Sequence, residues 1–122
     1  MTHLGRPSVG HATSAGKVML AFSERPLPSP PLVAYTPRTI TDPEALAGEI
    51  ERVRRRGYAD AVEEREVGLS AVAAPVFGSS GELAAIVALQ GPTARFGRAE
   101  LRAALPELLD RTAAISAGLG FQ

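Results

Sequence analysis

The sequence contains no cysteine, and this absence excludes three kinds of chemistry at once. A disulfide framework, a zinc site built from thiolates and a cysteine nucleophile all require that residue. Neither positive nor negative charge is in excess, because thirteen basic residues balance thirteen acidic ones. No global field therefore attracts the chain to nucleic acid or to anionic lipid, and we expect no DNA binding by this chain alone.

Long apolar runs are also missing. No stretch is long and apolar enough to span a bilayer, and no charged start precedes an apolar run of signal-peptide length. We therefore expect a cytoplasmic protein with no membrane partner. Its 122 residues suit one domain with a modest core.

The stretch GHATSAGKV, residues 10–18, has the outline of a phosphate-binding loop. Such a loop needs four residues between its glycines and a Ser or Thr directly after the lysine. Here five residues separate Gly10 from Gly16, and Val18 follows Lys17. We interpret the segment as the start of a helix capped by Thr13 or Ser14, and we predict no cofactor.

Hydrophobic periodicity predicts the element order α-α-β-β-β-α, which is typical of a small α+β domain. After an extended entry segment at 1–10, helices are expected near 13–23, 43–56 and 98–119, with Pro106 as a candidate kink in the last. Strands are expected near 58–65, 69–77 and 82–91, as an antiparallel meander with GSSG as a hairpin turn. Thr41 and Glu44 fit a capping box for the second helix. Because three strands make a thin sheet, we expect a fragment or a homo-oligomer.

Residues with catalytic or metal-binding potential do not form a recognisable pattern. His3 and His11 lack the partners that a metal site needs, so we interpret them as loop or cap residues. Glu63, Glu64 and Glu66 are interpreted as solvated acids, and the three arginines at 54–56 as a solvated helix end that complements the helix dipole. No serine lies in a nucleophile-elbow pattern. The sequence therefore predicts no catalytic residues, no metal site and no enzyme.

Four segments, taken in order, resemble the effector-binding domain of IclR-family transcriptional regulators. They read GHATSAGKVMLA, YTPRTITDPEAL with ERVRRRGYA, EE with VGLSAVAAPVF, and GELAAIVALQGPTARF. The resemblance covers nearly the whole chain. It implies a GAF-like, profilin-like antiparallel sheet flanked by helices, which senses a small metabolite. On this interpretation residues 1–122 are an effector-binding subdomain without its first strands, and DNA is bound only through an N-terminal winged helix-turn-helix outside this chain.

The resemblance also implies where an effector binds. In similar proteins the helix start around Ser14, Ala15 and Gly16 forms one wall of the cavity, where backbone N–H groups can receive a carboxylate. The alternative is that these small residues only serve helix packing. The other positions implied as effector-binding lie on the strands: Asp60, Ala61, Ala71, Ala88 and Gln90.

These strand positions depart from the family pattern. Relatives that bind small keto or hydroxy acids often carry polar side chains where this chain has Ala61, Ala71 and Ala88. Asp60 is one residue from the place of an acid and would point to the opposite side of the sheet unless a bulge intervenes. We therefore expect a larger organic acid, aromatic or medium-chain, in preference to glyoxylate or pyruvate.

Two functions from different classes remain open. The first is effector sensing, in which the ligand prefers one of two quaternary states. The second is a purely structural oligomerisation domain with a vestigial pocket. An enzyme that uses Glu63 or Glu64 is a weaker third.

Overall fold

The computed structural model describes residues 10–122 and follows the element order that the sequence predicts. Helices α1 (Ser14–Phe22) and α2 (Pro43–Arg56) come first, and helix α3 (Arg98–Gly118) comes last. Between them lie strands β1 (Ala59–Val62), β2 (Leu69–Phe77) and β3 (Leu83–Pro92), paired antiparallel in the order β1-β2-β3. The predicted α+β class and the meander are confirmed. The prediction for His3 and most of the predicted entry segment lie outside the described residues.

The caps of the first two helices come from short polar side chains. Thr13 caps α1, because its Oγ1 accepts the N–H of Gly16 at 3.0 Å. At α2 the cap is Asp42, whose Oδ2 accepts the N–H of Ala45 at 3.0 Å. The capping box predicted for Thr41 and Glu44 was therefore wrong by one residue, since Pro43 takes the first helical position directly after Asp42.

Strand β1 ends at Val62, three residues earlier than predicted. Glu63 has a φ of 57°, a left-handed conformation that no regular strand allows. Two hydroxyl groups hold the turn: Thr36 Oγ1 donates to the carbonyl of Glu63 and Thr39 Oγ1 to that of Glu64, both at 2.5 Å. The predicted acidic strand end is therefore a loop, which returns to β2 through Gly68.

The sheet separates two apolar clusters. Helices α1 and α2 cover one face through Val18, Leu46, Ile50 and Val53, which pack with Ala59 and Ala73. Helix α3, which continues through Pro106, covers the other face through Leu101 and Leu108, which pack with Val62 and Val72. Because successive strand residues point to opposite faces, odd-numbered residues of β1 and of β2 near Ala73 face α1, and even-numbered ones face α3.

Strand β3 is exposed along much of its length. Its outer edge has no strand partner among residues 10–122. In the same part of the chain, no helix is long and apolar enough to cross a membrane.

Candidate functional site

Four of the strand positions predicted to bind an effector lie on one face of the sheet. Ala61 pairs with Ala71, and Ala71 in turn pairs with Gln90, so these three form a row across the strands. Ala88 pairs with Ala73 in the adjacent row, and Ala73 packs in the cluster beneath α1. In this row Ala61 is buried, Ala71 is half-buried and Gln90 is exposed. Ala88, in the adjacent row, is also exposed. The face beneath α1 is therefore closed towards β1 and open towards β3.

The first turn of α1 supplies backbone donors at this side of the sheet, because α1 packs against all three strands. Helix geometry offers no acceptor to the N–H groups of Ser14 and Ala15. The N–H of Gly16 is different, since Thr13 Oγ1 already accepts it. Of the three predicted donors, Gly16 therefore already has an acceptor within its own turn.

Gly16 also has a local packing reason to lack a side chain. A Cβ atom at this position would lie 2.5 Å from the Cα of Gly10 and 2.6 Å from Thr13 Oγ1. Both distances are far shorter than a van der Waals contact. The small residue at position 16 is thus required by the turn that precedes α1.

Asp60 lies on the opposite face of the sheet from the other predicted strand positions. It pairs with Val72 in an unbroken register, and Val72 packs in the cluster beneath α3. No bulge redirects its side chain, which borders a cavity together with Leu101 and Leu105 of α3. The structure therefore does not bring Asp60 together with Ala61, Ala71, Ala88 and Gln90.

A buried ion cluster that the sequence analysis did not predict connects α1, α2 and the loop after β1. Lys17 is fully buried, and its Nζ donates to Glu49 Oε2 at 2.8 Å and to the carbonyl of Asp60 at 2.9 Å. It also lies 2.8 Å from Glu64 Oε1. This third contact is an ion pair without hydrogen-bond alignment, so Glu64 Oε1 is buried without a hydrogen-bond partner.

The two carboxylates around Lys17 have opposite electrostatic environments. Burial acts to raise the pKa of Glu49, but the hydrogen bond and charge of Lys17, with Arg56 and Arg52, outweigh it and lower that pKa. Burial raises the pKa of Glu64, Lys17 offsets only part of this, and the nearby charges of Glu49 and Asp60 raise it further. Glu49 therefore favours its charged form in the fold, whereas Glu64 resists ionisation.

This asymmetry predicts opposite pH effects of two matched substitutions. The lowered pKa of Glu49 contributes stability at neutral pH that is lost as pH falls through that pKa, so Glu49→Gln should destabilise more at about pH 7 than at about pH 4. The raised pKa of Glu64 means that its ionisation destabilises the fold above that pKa. The free energy of unfolding of Glu64→Gln, relative to that of the parent chain, should therefore be higher at about pH 7 than at about pH 4. Urea unfolding of all three chains at both pH values measures this, and pH trends of the same sign for both variants would contradict it.

A signal for this cluster is present in the sequence. Leu46, Ile50 and Val53 define the buried stripe of α2, and Glu49 lies within that stripe, three residues after Leu46. A carboxylate among apolar positions needs a buried cation as partner. Lys17 is the one lysine of the chain, and it is the cation that pairs with this carboxylate.

His11 lies in the turn before α1, as predicted, and it is buried. Its Nε2 donates to the carbonyl of Val33 at 2.8 Å, and its ring stacks on Tyr35 with the centroids 5.8 Å apart. The guanidinium carbon of Arg65 lies 4.2 Å from the centre of the Tyr35 ring. Across residues 10–122, no group of three or more His, Cys, Asp or Glu side chains is placed to hold a metal ion.

The arginines at the end of α2 are only partly solvated. Arg55 is exposed, whereas Arg54 Nε donates to the carbonyl of Ala21 at 2.9 Å. Arg56 is half-buried, and its Nε donates to the carbonyl of Tyr58 at 3.0 Å. The prediction of a solvated helix end was therefore wrong for Arg56.

Comparison with known proteins defines the class to which this arrangement belongs. Residues 1–117 match the family described as "Bacterial transcriptional regulator IclR C-terminal". The HTH-type transcriptional regulator BhcR of Paracoccus denitrificans is 37% identical over 120 residues, covering 94% of this chain and 43% of BhcR. The HTH-type transcriptional regulator KdgR of Escherichia coli is 36% identical over 125 residues, covering 98% of this chain and 48% of KdgR.

The chain belongs to the IclR family of bacterial transcriptional regulators, and its fold is that of their C-terminal domain. It spans less than half the length of BhcR and KdgR. Among solved structures, it is similar to the inducer-binding domain of PobR from Acinetobacter, a double mutant in complex with 3-hydroxybenzoic acid. The TM-score is 0.80 at 28% identity, covering 95% of this chain and 73% of that one. The named relatives are regulators and not enzymes, which agrees with the missing catalytic pattern.

Proposed function

We propose that this chain is the effector-sensing domain of a bacterial transcriptional regulator that acts in the cytoplasm. The observation that carries the proposal is the row of Ala61, Ala71 and Gln90 on the sheet face beneath α1. The first turn of α1, with the N–H groups of Ser14 and Ala15, lies at the same side of the sheet. A carboxylate can accept from such donors, where the helix dipole also favours an anion.

The side chains of this face favour an acid with a sizeable apolar part. Ala71 and Ala88 offer methyl groups to a ligand, the buried Ala61 closes the side towards β1, and Gln90 offers an amide at the open side. A compact keto acid would lack partners there, and each missing hydrogen bond to a charged ligand costs roughly 1.5–3 kcal/mol. An aromatic or medium-chain acid can offset this by apolar burial, at about 25 cal/mol per Å². The benzoate-type ligand of the related PobR domain supports this choice.

Calorimetry with 3-hydroxybenzoate and with pyruvate tests the proposal. We expect saturable heat with the aromatic acid and much weaker binding of pyruvate. Ala71→Leu should weaken the aromatic acid about tenfold or more, because the larger side chain fills space at the centre of the row. Ala85→Leu is the matched control: Ala85 pairs with Val76 on the same sheet, outside the row.

Two results would contradict the effector assignment. One is micromolar binding of pyruvate without any response to aromatic acids. The other is undiminished binding of 3-hydroxybenzoate by Ala71→Leu. A chain that binds neither acid and still oligomerises would support the structural alternative instead.

We also propose that the chain forms a homo-oligomer. Strand β3 has an unpaired outer edge among the described residues, and Leu89 on it is 39% exposed. Exposed strand edges with apolar side chains are surfaces that partner chains cover. Sedimentation velocity should show dimers or larger species, and a monomer throughout the micromolar range would contradict this.

DNA recognition is proposed to belong to a winged helix-turn-helix domain outside these 122 residues. The two relatives described above are HTH-type regulators of more than twice this length. The isolated chain has no net positive charge to attract DNA. It should therefore give no sequence-dependent complex in a gel-shift assay. A tight specific complex would contradict the assignment of DNA recognition to another domain.

A further inference from the structure

A cavity of about 210 Å³ lies on the sheet face opposite the proposed effector site. Its walls are the end of α2, the residues that join α2 to β1, the strands β1 and β2, and the first two turns of α3. Its volume is below the range of drug-sized pockets and suits a small organic molecule. The residues around it come from four elements, α2, β1, β2 and α3, and four of them are charged: Arg56, Asp60, Arg98 and Arg102.

Arg56 is the most buried charged group of this cavity. Its Nε donates to the carbonyl of Tyr58, and its guanidinium carbon lies 4.4 Å above the centre of the Tyr58 ring. Its Nη2 is 3.7 Å from Asp60 Oδ1, too far for a direct hydrogen bond. Nη2 is buried and has no hydrogen-bond partner. Arg56 is thus held in place at the cavity wall, with its Nη2 enclosed beside Asp60.

Two further arginines reach the same cavity from α3. Arg98 and Arg102 are four residues apart, so they lie on one side of the helix. Both are exposed, and among residues 10–122 neither forms an ion pair with a carboxylate. Three arginines and one aspartate line the cavity, so its lining carries an excess of two positive charges.

The inner part of the cavity is apolar. Val72 of β2 and Leu101 of α3 are both buried, and Leu105 lies one turn after Leu101. An inorganic anion would leave these side chains without a contact. A molecule that joins acidic groups to a short carbon body would satisfy both parts of the cavity.

We propose that this cavity binds a small organic dianion, either a dicarboxylate or a phosphate ester. The acidic groups accept from Arg98 and Arg102, because guanidinium groups form strong charge-assisted bonds with carboxylate and phosphate. The charge of Arg56 at the cavity wall adds to the attraction. The carbon body lies against Val72 and Leu101. This site is separate from the effector site beneath α1, and a ligand bound here contacts the end of α2 and the start of α3 together.

NMR titration of the ¹⁵N-labelled chain with succinate, its neutral diamide succinamide and inorganic phosphate tests the proposal. Succinate should shift the amide signals of Tyr58, Asp60 and Leu101 in a saturable way, and those of Ser14 and Ala15 should not move. Succinamide should cause no saturable shift, and phosphate should bind at least about tenfold more weakly than succinate. The positions of the shifted signals separate this site from the effector site, so either proposal can fail alone.

Substitutions on α3 supply the second arm of the test. Arg98→Gln with Arg102→Gln should weaken succinate about tenfold or more, whereas lysine at both positions should retain most of the binding. Arg111→Gln is the control, because Arg111 is exposed on α3 and pairs with Glu107 away from the cavity. Equal shifts with succinamide, equal affinity for phosphate, or unchanged binding by the double glutamine variant would each overturn the proposal.

Discussion

Replacing Lys17 by methionine is expected to destabilise the chain by about 3–5 kcal/mol, the usual cost of removing one partner from a buried ion cluster. Lys17 is fully buried, and both Glu49 and Glu64 lie 2.8 Å from its Nζ. Without the ammonium group, two carboxylates with side-chain exposures of 10% and 14% face each other with only part of their charge compensated. A loss of this size is a large fraction of the stability of a small domain.

Urea unfolding of the parent chain and of the variant measures the effect. Arg111→Met is the matched control, since it also removes a cation from an ion pair, but one whose side chains are 75% and 72% exposed. An exposed pair contributes at most about 1 kcal/mol, so the control should unfold close to the parent. If Lys17→Met costs no more than Arg111→Met, the buried cluster does not stabilise the fold.

A rescue variant separates the ion cluster from simple loss of packing. Adding Glu49→Gln and Glu64→Gln to Lys17→Met removes the uncompensated carboxylates and should recover part of the lost stability. If the triple variant is less stable than Lys17→Met alone, the loss comes from packing around position 17 and not from buried charge. The position of Lys17 makes the outcome informative, because it joins α1 to α2 and to the loop after β1.

The elements with strong local signals could be predicted from the sequence. The buried stripe of α2, with Leu46, Ile50 and Val53, lies where the helical period places it. The two faces of the sheet also follow from the strand period, which is why Asp60 lies opposite the other predicted site residues. The cap of α2 was misplaced because Thr41 and Asp42 are both good cap residues, and only the position of Pro43 selects between them.

The end of β1 could not be predicted from local patterns. Residues 63–65, which the prediction included in the strand, contain no Gly, Pro, Asn or Asp to indicate a turn. The turn at Glu63 is held by the hydroxyls of Thr36 and Thr39, which are 27 and 25 residues away from the carbonyls they contact. Contacts at such separations depend on how the whole chain packs, and the same turn then directs Glu64 to Lys17.

The candidate site could be predicted only in part, for a related reason. The family resemblance implied Ser14, Ala15, Gly16, Asp60, Ala61, Ala71, Ala88 and Gln90. The structure places four of the strand residues on one face beneath α1 and Asp60 on the other. The cavity on the opposite face combines residues from α2, β1 and α3 that no motif links. Arg56 was interpreted with its neighbours as a solvated helix end, because a run of three arginines gives no indication of which one turns inwards.

Gly16→Ala is expected to destabilise the chain by about 1–3 kcal/mol, because it forces extra volume into a closed turn. The added Cβ would lie 2.5 Å from the Cα of Gly10, a backbone atom that cannot rotate away as a side chain can. It would also lie 2.6 Å from the Thr13 hydroxyl that caps α1. The helix propensity of alanine, worth about 1 kcal/mol over glycine, offsets only part of this cost.

Gly48→Ala is the matched control for this prediction. Gly48 lies inside α2, and the nearest atom to an added Cβ is Arg52 Nη1 at 3.7 Å, an ordinary contact. This variant should therefore gain about 0.5–1 kcal/mol from helix propensity alone. Opposite shifts of the two urea midpoints are the expected result. If Gly16→Ala is stabilised like Gly48→Ala, the turn before α1 has room for a side chain, and the small residue at position 16 serves ligand access instead of packing.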